Sequence, residues 1–288
     1  MGKIAFLFAG QGAQYPGMGQ SLCQGSAAAR SVFEAAETIR PGTQAQCFSG
    51  TAEELTVTAN TQPCVFAVDL AAARALEEAG IHADGAAGFS LGEVAALTFA
   101  GSFADDAAGF SLVVARGRFM QAANEAHPGA MMAVLKMENK QVEEICEKFD
   151  HVWPVNYNCP GQLVVAGESA EIEPFGAAIT AAGGRAKRLA VGGGFHSPLM
   201  HEASLAFEEL LEKSDMKAPG ISVYANYTAA PYAEPLRATL ARQIENPVRW
   251  QQPGKTLSGL VKRSAPRTQI LRVEDMDMVT AAVQTLRG

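Results

Sequence analysis

Residues 3–8 form a short apolar run that Gly10-Gln11-Gly12 breaks, which predicts a buried strand opening into a glycine-rich turn. Apolar positions at helical spacing then predict helices over about 27–39 and 64–79. The second is read as starting at Thr61-Gln62-Pro63, because proline suits the first turn of a helix, and as ending at Gly80. Gly85-Ala-Ala-Gly-Phe89 reads as a strand of small buried residues. Two more helices are expected, from Leu91 to about Ala100 and from about Asp105 to Ala126.

From 130 to 191 the pattern changes rhythm. Met131–Leu135 predicts a strand, and Lys140–Phe149 a helix with Val142, Ile145 and Cys146 on its apolar face. Val152–Asn156 and Gln162–Ala166 predict two strands joined around Pro160-Gly161. A helix over Glu171–Ala182, closed by Gly183-Gly184, and a strand over Ala186–Val191 complete the order βαββαβ, the ferredoxin-like pattern. Residues 128–192 are thus read as a small domain inserted into a larger one made of residues 1–127 and 193–288. After Gly192-Gly193-Gly194, a helix (about 198–212), a strand (Ile221–Asn226) and a final strand and helix near 268–286 are expected.

Composition narrows the class. Of the 288 residues, 48% are hydrophobic and 18% charged. Charge below the roughly 25% of soluble domains implies a large core and excludes wholesale disorder. The net charge of −7 weighs against a nucleic-acid partner. The five cysteines are scattered, without C-x-x-C, which argues against a disulfide framework or a zinc ribbon and for a reduced, cytoplasmic setting. The apolar start lacks a small-residue cleavage site and reads as a strand, not a signal peptide. Phe6 excludes a myristoylation motif, and no stretch reaches the ~20 apolar residues of a membrane span.

Gly88-Phe89-Ser90-Leu91-Gly92 fits G-x-S-x-G between a predicted strand and a predicted helix. That turn lifts a serine hydroxyl above a sheet and aims the Leu91 N–H along the helix start, as an oxyanion donor would be. The bland alternative is a capping serine on a glycine-rich turn. A nucleophilic serine needs a base. Among His82, His127, His151, His196 and His201, His196 stands in a loop after a triple glycine and leads Ser197-Pro198, a helix start. His201 is out of i,i+4 register with it, so a zinc pair is not expected. Gly10–Gln14 lacks the Lys-Ser/Thr of a phosphate loop and could instead offer an N–H to an oxyanion. Arg116 interrupts the apolar run Leu112-Val-Val-Ala-Arg-Gly; it is either half of an internal salt bridge or a binder of a substrate carboxylate.

Phe8-Ala-Gly-Gln-Gly-Ala-Gln14, Thr61-Gln62-Pro63, Gly88-Phe-Ser-Leu-Gly-Glu93, Arg116-Gly-Arg-Phe-Met-Gln121, Asn156-Tyr-Asn-Cys-Pro-Gly-Gln162, Phe195-His-Ser-Pro-Leu-Met200 and Asn246-Pro-Val-Arg-Trp250 follow one another along the chain. Together they resemble, over nearly its whole length, the malonyl-CoA:acyl-carrier-protein transacylases and the related acyltransferase domains of polyketide synthases. The resemblance implies an α/β-hydrolase-like core with the ferredoxin-like insertion. It implies Ser90 as nucleophile, His196 as its base, the Gln11 and Leu91 N–H groups as oxyanion hole, and Arg116 as the binder of the malonyl carboxylate. Asn156 and Gln162 would form a supporting polar pair at the substrate, and Phe195 would favour malonyl over methylmalonyl. A backbone carbonyl near Asn246–Arg249, rather than an acid, would orient the histidine.

The resemblance further implies malonyl-CoA as substrate, no bound cofactor or metal, and an acyl carrier protein whose phosphopantetheine thiol accepts the malonyl group. A monomer in fatty-acid or polyketide synthesis is expected. Two departures stand out. Phe89 replaces a histidine common in relatives, and Trp250-Gln-Gln runs straight into Pro253-Gly-Lys where relatives carry a further helix and strand. Lys255, Lys262, Arg263, Arg267 and Arg272, with Arg185, Lys187 and Arg188, are candidates for a basic face toward acidic CoA and carrier protein, or simply solvated surface. A serine esterase or thioesterase would share Ser90 and His196 without needing Arg116. A catalytically dead carrier-docking module would need none of the three.

Overall fold

Small residues let two strands and their loops meet at one edge. In the computed structural model, which describes residues 3–251 and 269–287, β1 (Ala5–Phe8), β2 (Gly85–Gly88) and β7 (Ser222–Tyr224) form a parallel sheet in the order β1-β2-β7. Phe8 pairs with Gly88, so the Gly10–Gln11 turn and the Ser90 turn leave the sheet side by side, at the carboxyl ends of the strands. A Cβ on Gly92 would sit 2.4 Å from the Ala9 carbonyl oxygen, and one on Gly10 2.7 Å from that of Phe89. Only glycine allows the two turns to approach so closely.

Around this sheet run α1 (Gln20–Gly25), α2 (Ala27–Ile39), α3 (Thr43–Ser49), α4 (Thr58–Glu78), α5 (Leu91–Phe99) and α6 (Asp106–Ala126). Phe33, Phe66, Leu70, Leu97 and Phe110 fill the space between them. Helix α4 starts at Thr58, three residues before Thr61, where it was expected to begin. Asn60 and Thr61 N–H close on the Val57 carbonyl, and Thr61 Oγ1 donates to Leu55 O at 2.5 Å, so Pro63 stands inside the helix and removes only one bond of its second turn.

A second sheet holds β3 (Gly129–Leu135), β4 (Val152–Cys159), β5 (Gln162–Glu168) and β6 (Arg185–Arg188) in the order β4-β5-β3-β6, antiparallel throughout. On one face, Met132, Val134 and Val165 pack under α7 (Asn139–Cys146) and α8 (Ile172–Ala181), whose Val142, Ile145, Phe175 and Ile179 close a separate core. The alternate residues Met131, Ala133, Val164 and Ala166 join the large core. Burial on both faces is why β3 and β5 read as unbroken apolar runs. Strand β6 is shorter than expected and mostly exposed, at the sheet edge.

The chain then returns through α9 (His201–Glu212), β7 and α10 (Leu236–Arg242). Val248 bridges to Asn156 of β4, and Arg249 N–H donates to Asn226 O at 2.9 Å, so this segment ties the two sheets together. The short α1, α3 and α10 had no clear periodicity to announce them. Residues 269–275 carry no strand, and the helix Met276–Arg287 follows. The Pro253-Gly-Lys turn, the junction that departs from relatives, and Lys255, Lys262, Arg263 and Arg267 lie outside the described residues.

Candidate active site

Between β2 and α5 only Phe89 and Ser90 make the turn, and Ser90 adopts φ 55°, ψ −108°. A non-glycine residue in that region is strained by roughly 1–3 kcal/mol and stays there only if its surroundings hold it. Three hydrogen bonds do so. Ser90 N–H donates to Asn226 Oδ1 at 2.7 Å, Asn226 Nδ2 donates to Gly88 O at 2.7 Å, and Gln243 Nε2 donates to Ser90 O at 2.8 Å. The hydroxyl this presents lies 2.8 Å from Nε2 of His196.

His196, also at positive φ (62°), is buried at 3% exposure, and its Nδ1 lies 2.8 Å from the Gln243 carbonyl oxygen. A carbonyl can only accept, so Nδ1 carries the proton and Nε2 offers its lone pair to the serine. The orienting carbonyl is that of Gln243, three residues before the Asn246–Arg249 segment near which it was expected. Gln243 immediately follows α10, where the last carbonyls have no intrahelical partner and are free to accept. Asn246 O adds a weaker pull on the ring, while the N–H groups of Val248 and Arg249 are engaged by Val155 and Asn226. Burial, joined by the positive charge of Arg116, lowers the His196 pKa to about 4. The imidazole is thus a neutral base across ordinary pH.

Arg116 sits in the middle of α6 with 0% exposure. Its Nη1 donates to Gln62 Oε1 (2.7 Å), and its Nη2 to Gln243 Oε1 (2.8 Å) and Ser90 Oγ (3.2 Å). Nε has no partner. Every contacting oxygen is neutral. None of the ion pairs among the described residues involves Arg116, so the internal salt bridge left open by the sequence is not formed. Burial pulls the guanidinium pKa down to about 10, with the Glu93 charge acting the other way. A buried cation beside the Ser90 hydroxyl, held by amide oxygens and short of one acceptor, suits an incoming anion.

Leu91 N–H stands at the first position of α5, where the helix supplies no carbonyl for it. Gln11 lies in the turn packed against Phe89, and its side chain reaches Thr58 Oγ1 at 3.4 Å. Phe195 is buried in the large core next to His196. Asn156 lies on β4 at the Val248 bridge, and Gln162 at the head of β5 accepts from Cys159 Sγ at 3.7 Å. Among the described residues no hydrogen bond connects either to Ser90, His196 or Arg116. The described residues also hold no cluster of three metal-ligating side chains.

The geometry adds functional groups that sequence reasoning did not assign. Gln243 and Asn226 lie in loops with no motif signal. Gln62 and Glu93 are buried at 1% and 0% in apolar helices, and polarity at core positions was the signal that could have found them.

Ser90 on its strand–turn–helix, with His196 from a loop and Arg116 from α6 within hydrogen-bond distance of its hydroxyl, is an arrangement capable of acyl transfer. The chain belongs to the acyl transferase domain family, whose profile matches residues 5–265. Among curated relatives, the malonyl CoA-acyl carrier protein transacylase of Bacillus subtilis (strain 168) is 36% identical over 312 residues, covering 100% of this chain and 98% of that protein. The crystal structure of the enzyme of that name from Clostridium perfringens ATCC 13124 superposes with a TM-score of 0.92 at 33% identity, covering 99% of this chain and 98% of the other. A malonyl-transacylase solved in complex with a type II PKS acyl-carrier protein superposes with a TM-score of 0.92 at 32% identity, covering 99% and 100%.

Proposed function

We propose that this chain transfers a malonyl group from malonyl-CoA to the phosphopantetheine thiol of an acyl carrier protein through a malonyl ester on Ser90. The observation that carries this is Arg116, a buried guanidinium with only neutral acceptors, 3.2 Å from the Ser90 hydroxyl. A carboxylate one carbon beyond a thioester carbonyl would reach the arginine while its carbonyl faces the serine. His196 Nε2 takes the Ser90 proton as Oγ attacks the thioester. The Leu91 and Gln11 N–H groups stabilise the oxyanion, each worth ~3 kcal/mol in the barrier. The tetrahedral intermediate collapses, the C–S bond breaks, and CoA leaves as its thiol with the proton from His196. The carrier thiol then gives its proton to His196 and attacks the malonyl-serine ester, and Ser90 recovers its hydrogen as it leaves.

The architecture supporting this reading is an α/β-hydrolase-like core of residues 1–127 and 193–288 with a ferredoxin-like insert, residues 128–192. The antiparallel order β4-β5-β3-β6 and the separate apolar core beneath α7 and α8 speak for it. Phe195 would narrow the acyl pocket beside His196, and Asn156 and Gln162 would support it from β4 and β5. A cytoplasmic location fits free buried cysteines such as Cys47 and Cys146, and no helix among the described residues is long and apolar enough to cross a membrane.

Mass spectrometry after incubation with malonyl-CoA tests the proposal. A malonyl adduct on the wild type, lost in Ser90→Ala, is expected, and added carrier protein should remove it as malonyl thioester. An adduct that survives Ser90→Ala, or release of free malonate in place of transfer, would overturn the assignment.

A further inference from the structure

Beneath Ser90 lies a carboxylate that no step of the transfer uses. Glu93, the third residue of α5, is buried at 0% exposure. Its Oε2 accepts from Asn226 N–H at 2.8 Å and from Gln243 Nε2 at 3.0 Å, while Oε1 accepts from the Tyr232 hydroxyl. The Gln243 amide faces the other way as well, its Oε1 taking the bond from Arg116 Nη2 at 2.8 Å. Because Nε2 also donates to Ser90 O at 2.8 Å, the amide has one orientation only. A single side chain therefore couples a buried anion to a buried cation. Arg116 donates to Gln243, and Gln243 donates to Glu93.

Above about pH 7, where Glu93 is ionised, the two charges balance in the site without ligand. A malonyl carboxylate on Arg116 would leave two anions facing one cation away from water, and burial then drives one of them to take a proton. A malonyl carboxyl, acidified by its thioester carbonyl, is the stronger acid, so the proton goes to Glu93, whose own pKa burial already raises to about 7. Oε2 can keep both of its donors, and the Tyr232 hydroxyl can turn to accept from the protonated oxygen. We propose that Glu93 is the counter-charge of the empty acyl site and tunes its preference for an anionic acyl group, taking one proton from solvent when malonyl binds. This rests on Arg116 as the carboxylate site.

The charged and titratable groups facing Glu93 are Arg116 from α6 and Tyr232 from the loop after β7, with His196 behind Arg116. Tyr232 is held well above its ordinary value by burial, and His196 titrates only near 4. The malonyl-bound site holds one proton more than the empty one, so malonyl binding weakens as pH rises above about 7, by at most about tenfold per unit. Acetyl binding, without a carboxylate, has no such slope.

Affinities of malonyl-CoA and acetyl-CoA for the full chain carrying Ser90→Ala, measured by calorimetry from pH 6 to 9, test this. The CoA phosphates titrate alike in both ligands and cancel in the ratio. The malonyl-to-acetyl ratio should fall about tenfold across that range. With Glu93→Gln added it should be flat and, at pH 8, about tenfold higher. A pH-independent ratio in the Ser90→Ala protein overturns the proposal whether or not Glu93→Gln folds. Arg116→Ala separates the two inferences: an unchanged ratio removes the carboxylate site itself. A collapsed ratio there, with no pH slope in Ser90→Ala, removes only the role of Glu93.

Discussion

Arginines join helices α4 and α6 at two places, an outer end at Asp106 and an inner one midway along α6, whose acceptors differ in charge. At the outer end Arg74 is saturated with carboxylate: Nη1 reaches Glu77 at 2.6 Å and Nη2 reaches Asp106 at 2.7 Å, with the guanidinium stacked 5.3 Å from the Phe99 ring centre. Those anions hold its pKa above the ordinary arginine value. At the inner end Arg116 meets Gln62 and Gln243 amide oxygens, and its pKa is held below that value, at about 10. The outer arginine is satisfied and structural. The inner one is held by neutral dipoles, with its counter-charge Glu93 one side chain away, and has no carboxylate in direct contact. A binding site for an anion differs from a salt bridge by what has been withheld.

Removing the withheld charge should produce the largest effect. Arg116→Ala is expected to lower kcat/KM for malonyl transfer about a hundredfold or more while acetyl transfer falls far less, measured side by side with the two CoA esters. Equal losses would put Arg116 with the structural arginines. Acid should act next. Since His196 is depressed to about 4, malonyl transfer should hold down to about pH 5 and then drop about tenfold per unit below 4 as the base protonates. A pH–rate profile breaking near 6.5 would mean that neither burial nor Arg116 acts on the imidazole.

Gln62→Glu converts the inner end into a copy of the outer one. It should raise the KM for malonyl-CoA about tenfold by occupying Arg116 internally, with little change for acetyl-CoA. Unaltered malonyl kinetics would show that the neutrality of Gln62 is irrelevant. The smallest effect belongs to the outer end. Asp106→Asn, at a partly exposed pair, should cost about 1 kcal/mol in denaturant unfolding and leave transfer as it was. A loss of malonyl selectivity there would contradict the division between the two ends.

Much of this was legible in the chain. The G-x-S-x-G turn placed Ser90 because glycine at 92 and small residues in β2 are what a tight strand–turn–helix needs, and local pattern reports local geometry. The βαββαβ segment was legible because its helices bury a single face and its central strands β3 and β5 are apolar on both. Pro63 misled because proline marks the first turns of a helix without fixing which residue starts it. The His196 partner was expected near the Asn246–Arg249 motif, and the end of α10 just before it supplies the carbonyl, that of Gln243, which no local pattern could single out.

The sequence by itself determined the order of the longer elements, the G-x-S-x-G turn, the histidine loop and the presence of a cation in an apolar helix. All of these follow from periodicity and turn chemistry within a few tens of residues. Only the tertiary structure decided what that cation meets, because Gln62, Gln243, Asn226 and Glu93 converge from four distant segments and hydrogen-bond direction has no periodicity to betray it. Whether Arg116 is a salt bridge or a carboxylate site depends on which atoms lie within about 3 Å of its guanidinium, a range at which hydrogen bonds form or fail. That distance exists only in the folded chain.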